Sequence, residues 1–187
     1  MNEGHLQFLA SPEWAQMLET DLLPWALGVA DLGDDVLEVG PGPGLTTDLL
    51  RQRTSRLTAV EVDADLATAL ASRLKDTNVE VVHADASDSG LASNRFSAAT
   101  CFTMLHHVPS VEIQDRLFAE VQRVLRPAGS FIGSDSVDSE WLREFHADDV
   151  FVPVDPDTLG ARLEAVGFTG VEIDALDIAV RFKATKP

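Results

Sequence analysis

Three glycines alternate with two prolines in Gly40-Pro41-Gly42-Pro43-Gly44, between an apolar run at 36–39 and a helix-like run that begins near Thr46. A strand that ends in such a turn and feeds a helix places bare backbone at the carboxyl edge of a sheet, where open α/β folds hold their ligands. Glycine there admits positive φ and lets a ligand approach without meeting a Cβ. Spacing narrows the choice of ligand. A dinucleotide fingerprint would put its third glycine at position 45, which is Leu45. A P-loop needs Lys and then Ser or Thr after its last glycine, where Leu45 and Thr46 stand. Pro41 and Pro43 also delete two amide donors, a poor way to build an anion nest. The loop therefore suits a ligand without phosphates. Taken alone, it is equally well a tight turn before a helix.

Two acids sit at matching places further along. Glu61 ends the second apolar run, twenty-one positions beyond Gly40, where a carboxylate facing the crevice can accept two hydroxyl hydrogen bonds from a ribose. Asp85 follows the third run in "VVHADASD", where it can accept from an adenine amino group. Either could instead be solvated loop charge, the usual place of a lone acid. Their recurrence at the ends of successive strands argues for a common site.

These residues need a sheet to hold them, and the chain supplies one. Short apolar runs at 36–39, 57–62, 79–83, 96–102 and 130–133 alternate with amphipathic runs, which predicts an α/β sheet wrapped by helices. Ser11-Pro12-Glu13 predicts a helix start, with Trp14, Leu18, Leu22 and Trp25 at helical spacing behind it. Asp63 is placed to cap a helix bearing Leu66, Leu70 and Leu74. The run 110–125 carries Ile113, Leu117, Val121 and Val124 on one face and should stop at 126–129, "RPAG". After Asp135 one short helix and an irregular stretch are expected, then a helix from Asp155-Pro156-Asp157 to Gly167. The end differs. Val171, Ile173, Ile178, Val180 and Phe182 alternate around a single turn, an antiparallel hairpin and not another crossover.

With 187 residues and 45% apolar content, one domain with a substantial core is expected. The net charge of −17, with only 14 Lys and Arg, disfavours nucleic acid or an anionic membrane as partner and favours a cationic small molecule. No run is long and charge-free enough for a membrane span, and the start lacks the basic-then-apolar order of a secretory signal. The single cysteine, Cys101, fits a reducing compartment, so a cytoplasmic location is expected.

The segments "VLEVGPGPG", "AVEVD", "VVHADASD", "TCFTMLHHVP" and "RVLRPAGSF" resemble, in order, the motifs of class I S-adenosylmethionine-dependent methyltransferases. The resemblance runs from about Val36 to Phe131 and continues through the closing hairpin. It implies a Rossmann-like three-layer sandwich with a mostly parallel seven-stranded sheet ending in an antiparallel β-hairpin. It implies one methyltransferase domain over 1–187: a helical cap at 1–30, a cofactor-binding core at 31–135, and an acceptor-side segment with the hairpin at 136–187. S-adenosyl-L-methionine is the implied cofactor. By the same resemblance Glu38 helps orient the methionine amino group, and Gly40, Gly42 and Gly44 line the methionine and ribose portion. Glu61 accepts the ribose hydroxyls and Val62 lies on the adenine face. Asp85 and Ala86 read the adenine edge, and Phe102 meets the methionine moiety. The prolines in the loop depart from the pattern and should stiffen the turn.

Methyl transfer from a sulfonium needs chiefly an aligned nucleophile, and proximity alone can supply about 7–11 kcal/mol. A base is needed only where the acceptor must lose a proton. His106, just after the fourth strand, is the candidate base, with His107 beside it; a packed or capping histidine is the competing reading. No metal ligands are assigned. Acceptor contacts are expected from 5–25 and 141–154, with Trp14, Trp141 and Phe145 as candidates for a lid over a small apolar molecule. Asp148 and Asp149 could meet a cationic acceptor or be solvated charge. The fourth strand ends in "CFTM", unlike the Asn/Asp-Pro-Pro-aromatic run of DNA amino-methyltransferases. Two rivals remain: a non-catalytic cofactor-binding member that acts through a protein partner, and a dinucleotide-dependent oxidoreductase, against which Leu45 and the hairpin speak.

Overall fold

A computed structural model describes residues 3–187, so Met1 and Asn2 of the expected 1–30 cap lie outside the described residues. Seven strands form one sheet: β1 Asp35–Val39, β2 Arg56–Glu61, β3 Val79–His83, β4 Phe96–Phe102, β5 Leu125–Ser136, β6 Thr169–Ala175 and β7 Ala179–Thr185. Their order is β3-β2-β1-β4-β5-β7-β6. The first five pair in parallel, and β7 runs antiparallel between β5 and β6. This is the α/β sheet with a terminal hairpin that the alternation of runs predicts, in the Rossmann-like seven-stranded form that the family resemblance implies. The order reverses beside β1, so the crevice at the carboxyl ends of β1 and β4 is the topological switch point.

Among the described residues eight α-helices complete the layers: α1 Glu3–Leu9, α2 Pro12–Met17, α3 Leu23–Val29, α4 Leu45–Leu50, α5 Ala64–Arg73, α6 Val111–Val124, α7 Glu140–Phe145 and α8 Pro156–Ala165. Local chemistry sets their starts. Ser11, Asp63, Ser110, Ser139 and Asp155 each accept first-turn N–H groups, at 2.9–3.3 Å. Between α2 and α3 the chain makes a π-helical turn over Leu18–Leu22, where Leu23 N–H bonds the Leu18 carbonyl five residues back. Pro24 explains it: proline lacks the N–H that would continue the ordinary ladder and crowds the preceding turn.

Strand residues alternate between two cores. Leu37, Val39, Ala99, Cys101 and Phe131 face α6 and α8, and Phe131 packs on Phe168 and Phe182 at ring separations of 5.6 and 5.0 Å. Val36, Ala98, Phe102 and Ile132 face the N-terminal helices, with Trp14, Leu18 and Leu22 buried against them. Two sequence expectations need correction. The fifth strand does not wait for Ser130 but begins at Leu125, because "RPAG" bridges to the chain end: Ala128 N–H bonds Lys186 O, and Lys186 N–H bonds Gly129 O. Ile178 lies in the hairpin turn, 80% exposed, and not in a strand.

Candidate functional site

The glycine loop folds onto its own backbone. Gly40 N–H donates to the Val60 carbonyl at 2.9 Å, Gly42 N–H to Glu61 Oε2 at 3.0 Å, and Gly44 N–H to the Pro41 carbonyl at 3.0 Å. With Pro41 and Pro43 between them, these are all the loop's amide donors, so none is left to cradle a phosphate. Gly40 has φ +66°, and a Cβ there would lie 2.8 Å from Met104 Cγ. Arg73 of α5 grips the loop from outside, donating to the Pro43 and Gly44 carbonyls at 3.2 and 3.3 Å and pairing with Asp48 at 2.5 Å.

Glu61, Val62, Asp85 and Ala86 line one cavity of about 420 Å³, together with Gly40, Met104 and residues of α6. Glu61 is buried and also accepts from Asp63 N–H at 3.0 Å. Asp85 is exposed and accepts from Ser87 N–H at 2.8 Å. Val62, 66% exposed, offers an apolar rim at the end of β2. Glu38 and Phe102 face a second void of only about 20 Å³, walled by Leu9, Trp14 and Met104. Gly40 and Met104 belong to both spaces, so the Met104 side chain is the partition between them. Gly42, Gly44, His106, Trp141 and Phe145 line neither.

Glu38 is 3% exposed, and its Oε2 has no hydrogen-bond partner among the described residues. Burial pushes its pKa up to about 8 against the lowering effect of the Thr47 hydroxyl beside it, and the neighbouring carboxylates of Asp48 and Glu61 add to the rise. Thr103, which follows β4 at this void, holds φ +52°, a strained conformation for a β-branched residue. Its N–H bonds the Ser134 carbonyl at 2.7 Å, which anchors that conformation.

His106 is buried, with Nδ1 2.5 Å from Asp135 Oδ1. Burial disfavours its charged form, but Asp135 outweighs burial and holds the pKa above the ordinary histidine value. Asp135 also accepts Leu105 and Ser136 N–H, each at 2.7 Å. Its neighbours behave oppositely: burial, and then the nearby histidines, lower His5 to about 4 and His107 to about 3. It is His107, with Asp149, that reaches the larger cavity. The sequence did not single out Met104 as a partition or Asp135 as the anchor of His106, whereas it offered His107 beside the candidate base and Asp149 as a contact for a cationic acceptor, and both of these line the larger cavity. The only signal for Met104 was its position directly after β4. Trp141 stacks on Phe145 at 5.2 Å and is 65% exposed. Phe145 in turn packs against His5, at 5.7 Å.

Residues 37–133 match the family model described as a methyltransferase domain. Among curated proteins, ribosomal RNA small subunit methyltransferase A of Geobacter metallireducens is 47% identical over 53 residues, 28% of this chain and 19% of that protein. The chain thus spans about a fifth of that relative's length. Among solved structures, a protein of Pyrococcus horikoshii superposes with a TM-score of 0.79 at 18% identity, covering 96% of this chain and 94% of that one. Phosphoethanolamine N-methyltransferase 2 of Haemonchus contortus, solved with S-adenosyl-L-methionine, gives 0.75 at 15% identity over 90% of this chain and 53% of that one. At these identities the structural likeness speaks for the fold, and the family model speaks for membership over slightly more than half the chain. The chain belongs to the methyltransferase-domain family, the class I S-adenosylmethionine-dependent methyltransferases.

Proposed function

We propose that this chain transfers the methyl group of S-adenosyl-L-methionine to a small, largely apolar acceptor that carries no phosphate. The observation that carries the reading is the wall of the 420 Å³ cavity: beyond Glu61 and Asp85, which the cofactor would take, Leu6, Val108, Ile113, Leu117 and Val150 line it with the carboxylates of Asp63 and Asp149, and among the described residues no Lys or Arg does. Carboxylates favour a cationic sulfonium and penalise a phosphate, whether on a small acceptor or along RNA. The net charge of −17 acts in the same direction at long range.

The residues fit the cofactor. Glu61 and Asp85 would hold its ribose and adenine edge, and Val62 and Ala86 would give the apolar surface for the ring. The unpartnered Oε2 of Glu38 is a buried acceptor for the methionine ammonium, and Phe102 lies beside it. Gly42 and Gly44 set the loop's shape, Gly42 through its bond to Glu61. The 20 Å³ void holds no more than a water, so seating the methionine arm requires Met104, Leu9 or Trp14 to move. The bound cofactor supplies an activated methyl, and the protein's part is to align the acceptor and exclude water. His106 faces neither cavity, so we assign it no proton transfer. Trp14, Trp141 and Phe145 belong to the two segments that cover this side, and Trp141 is the one exposed to meet an incoming molecule.

The test is release of S-adenosylhomocysteine from S-adenosylmethionine over a panel of small amines, phenols and thiols and over a small-subunit ribosomal RNA fragment. Turnover confined to the small apolar compounds supports the reading. Turnover on RNA or on phosphorylated compounds alone overturns the acceptor class, and no turnover on any arm overturns the activity.

A further inference from the structure

The fold gathers four histidines that the sequence scatters. His5 comes from α1, His106 and His107 from the turn after β4, and His146 from the residue after α7. All six pairs of ring centroids lie 4.2–5.6 Å apart. One ring nitrogen from each lies within 4.8 Å of the other three. We propose that these four imidazoles form a binding site for a divalent first-row ion of the zinc type.

Three observations carry it. Among the described residues, His106 Nε2, His107 Nδ1 and both nitrogens of His146 are buried without a hydrogen-bond partner, and Asp149 Oδ2 stands 3.6 Å from His107 Nδ1 and 3.8 Å from His146 Nδ1, beyond hydrogen-bond reach. Burying such atoms unpaired costs free energy that a hydrophobic core would not spend, whereas a metal ion takes up their lone pairs. The support behind the ligands is also built. His106 gives Nδ1 to Asp135, which fixes the ring and turns Nε2 toward the cluster, the carboxylate–histidine arrangement that metal sites use. The geometry is already near what is required. Metal–nitrogen bonds of about 2.0–2.1 Å put tetrahedral ligand atoms roughly 3.3 Å apart. His5 Nδ1 and His107 Nε2, which share a hydrogen bond at 3.1 Å that an ion would replace, already stand at that spacing, with His107 Nδ1 left facing Asp149, and one nitrogen from each of the four rings lies within 4.8 Å of the others.

Four imidazole nitrogens, with the single carboxylate of Asp149 beside them, suit zinc, cobalt, nickel or copper ions and not magnesium or calcium. A site closed by four protein ligands is structural. It staples α1, the turn after β4 and the end of α7 together at the wall of the cofactor cavity, which His107 lines. The inference stands apart from the methyl-transfer reading, since it rests on other residues.

The full chain, stripped of metal, is dialysed against micromolar zinc and its content measured, and the histidine ring resonances are followed through the same titration. One zinc per chain is expected, with four of the five imidazoles shifting and His83 unmoved. Cobalt should give the visible absorption of a tetrahedral nitrogen site. A His5→Gln/His146→Gln double variant should lose more than about 100-fold in zinc affinity, beyond the 10–100-fold that losing a ligand's supporting partner costs. Less than a tenth of an equivalent of zinc in the wild type overturns the proposal. So do shifts centred on His83, or full zinc retention by the double variant. The resonance titration decides on the wild-type protein alone, whether or not the variant folds.

Discussion

Glu61 Oε2 accepts the Gly42 N–H at 3.0 Å while Glu61 Oε1 accepts the Asp63 N–H at 3.0 Å, so one carboxylate joins the glycine loop to the end of β2 and the start of α5. The proposed ribose acceptor is therefore also the residue that sets the loop. Its backbone bonds are made before any ligand arrives, and a carboxylate still has lone pairs to offer.

Removing that carboxylate should cost binding in two ways. Glu61→Ala loses charge-assisted bonds of about 1.5–3 kcal/mol, which predicts a loss of roughly 10–150-fold in S-adenosylhomocysteine affinity by calorimetry. Glu61→Gln, which keeps one acceptor oxygen, should fall between variant and wild type. Unchanged affinity in Glu61→Ala, with the fold intact by circular dichroism, would remove Glu61 from the site.

Glu38 makes binding proton-linked. Its pKa of about 8 in the folded protein means that it is largely protonated at pH 7, and a cationic methionine arm beside it should drive that proton off. Binding heats at pH 7 should then differ between phosphate and Tris buffers, and Glu38→Gln should erase the difference. Identical heats for the wild type in both buffers would contradict this.

The same group tilts stability with pH. The unfolded carboxyl ionises near 4.5 and the folded one near 8, so the native state holds a proton that the unfolded state gives up between them. The stability it contributes is fully present below pH 4.5 and is lost as pH rises through 8. Glu38→Gln should therefore gain on the wild type between pH 5 and pH 9 by a few kcal/mol, read from denaturant midpoints. A constant difference across that range would count against the assignment.

Met104 should act as a movable partition. Its side chain lies over Gly40, between the void at Glu38 and the larger cavity. Met104→Ala spares the rotamer change that cofactor entry demands, about 0.5–1.5 kcal/mol. Affinity for S-adenosylhomocysteine should rise roughly two- to tenfold; a fall would mean that Met104 is a contact and not an obstacle.

Trp141 separates acceptor from cofactor. It lines neither cavity, so Trp141→Ala should leave cofactor affinity intact, and as the exposed, Phe145-stacked residue of the proposed acceptor lid its loss should raise the acceptor's KM several-fold. A loss of cofactor affinity instead would end the idea of an acceptor lid. Phe145 is the poorer probe, because it packs against His5 and His146.

Much of this was legible in the sequence because the causes are local. The capping roles of Ser11, Asp63, Ser110 and Asp155 depend on residues two or three positions away. Strands β3 and β4 follow from short apolar runs with clear ends, and the prolines of the loop announce its lack of phosphate donors. What stayed hidden depends on segments far apart in the chain. No spacing rule joins position 5 to 106, 107 and 146, and only the approach of α1 and α7 to the turn after β4 makes four histidines a cluster. Likewise Glu38 is one acid in an acidic chain until packing buries it at the small void that Trp14 also lines and raises its pKa, because desolvation is a property of the folded surroundings and not of the residue.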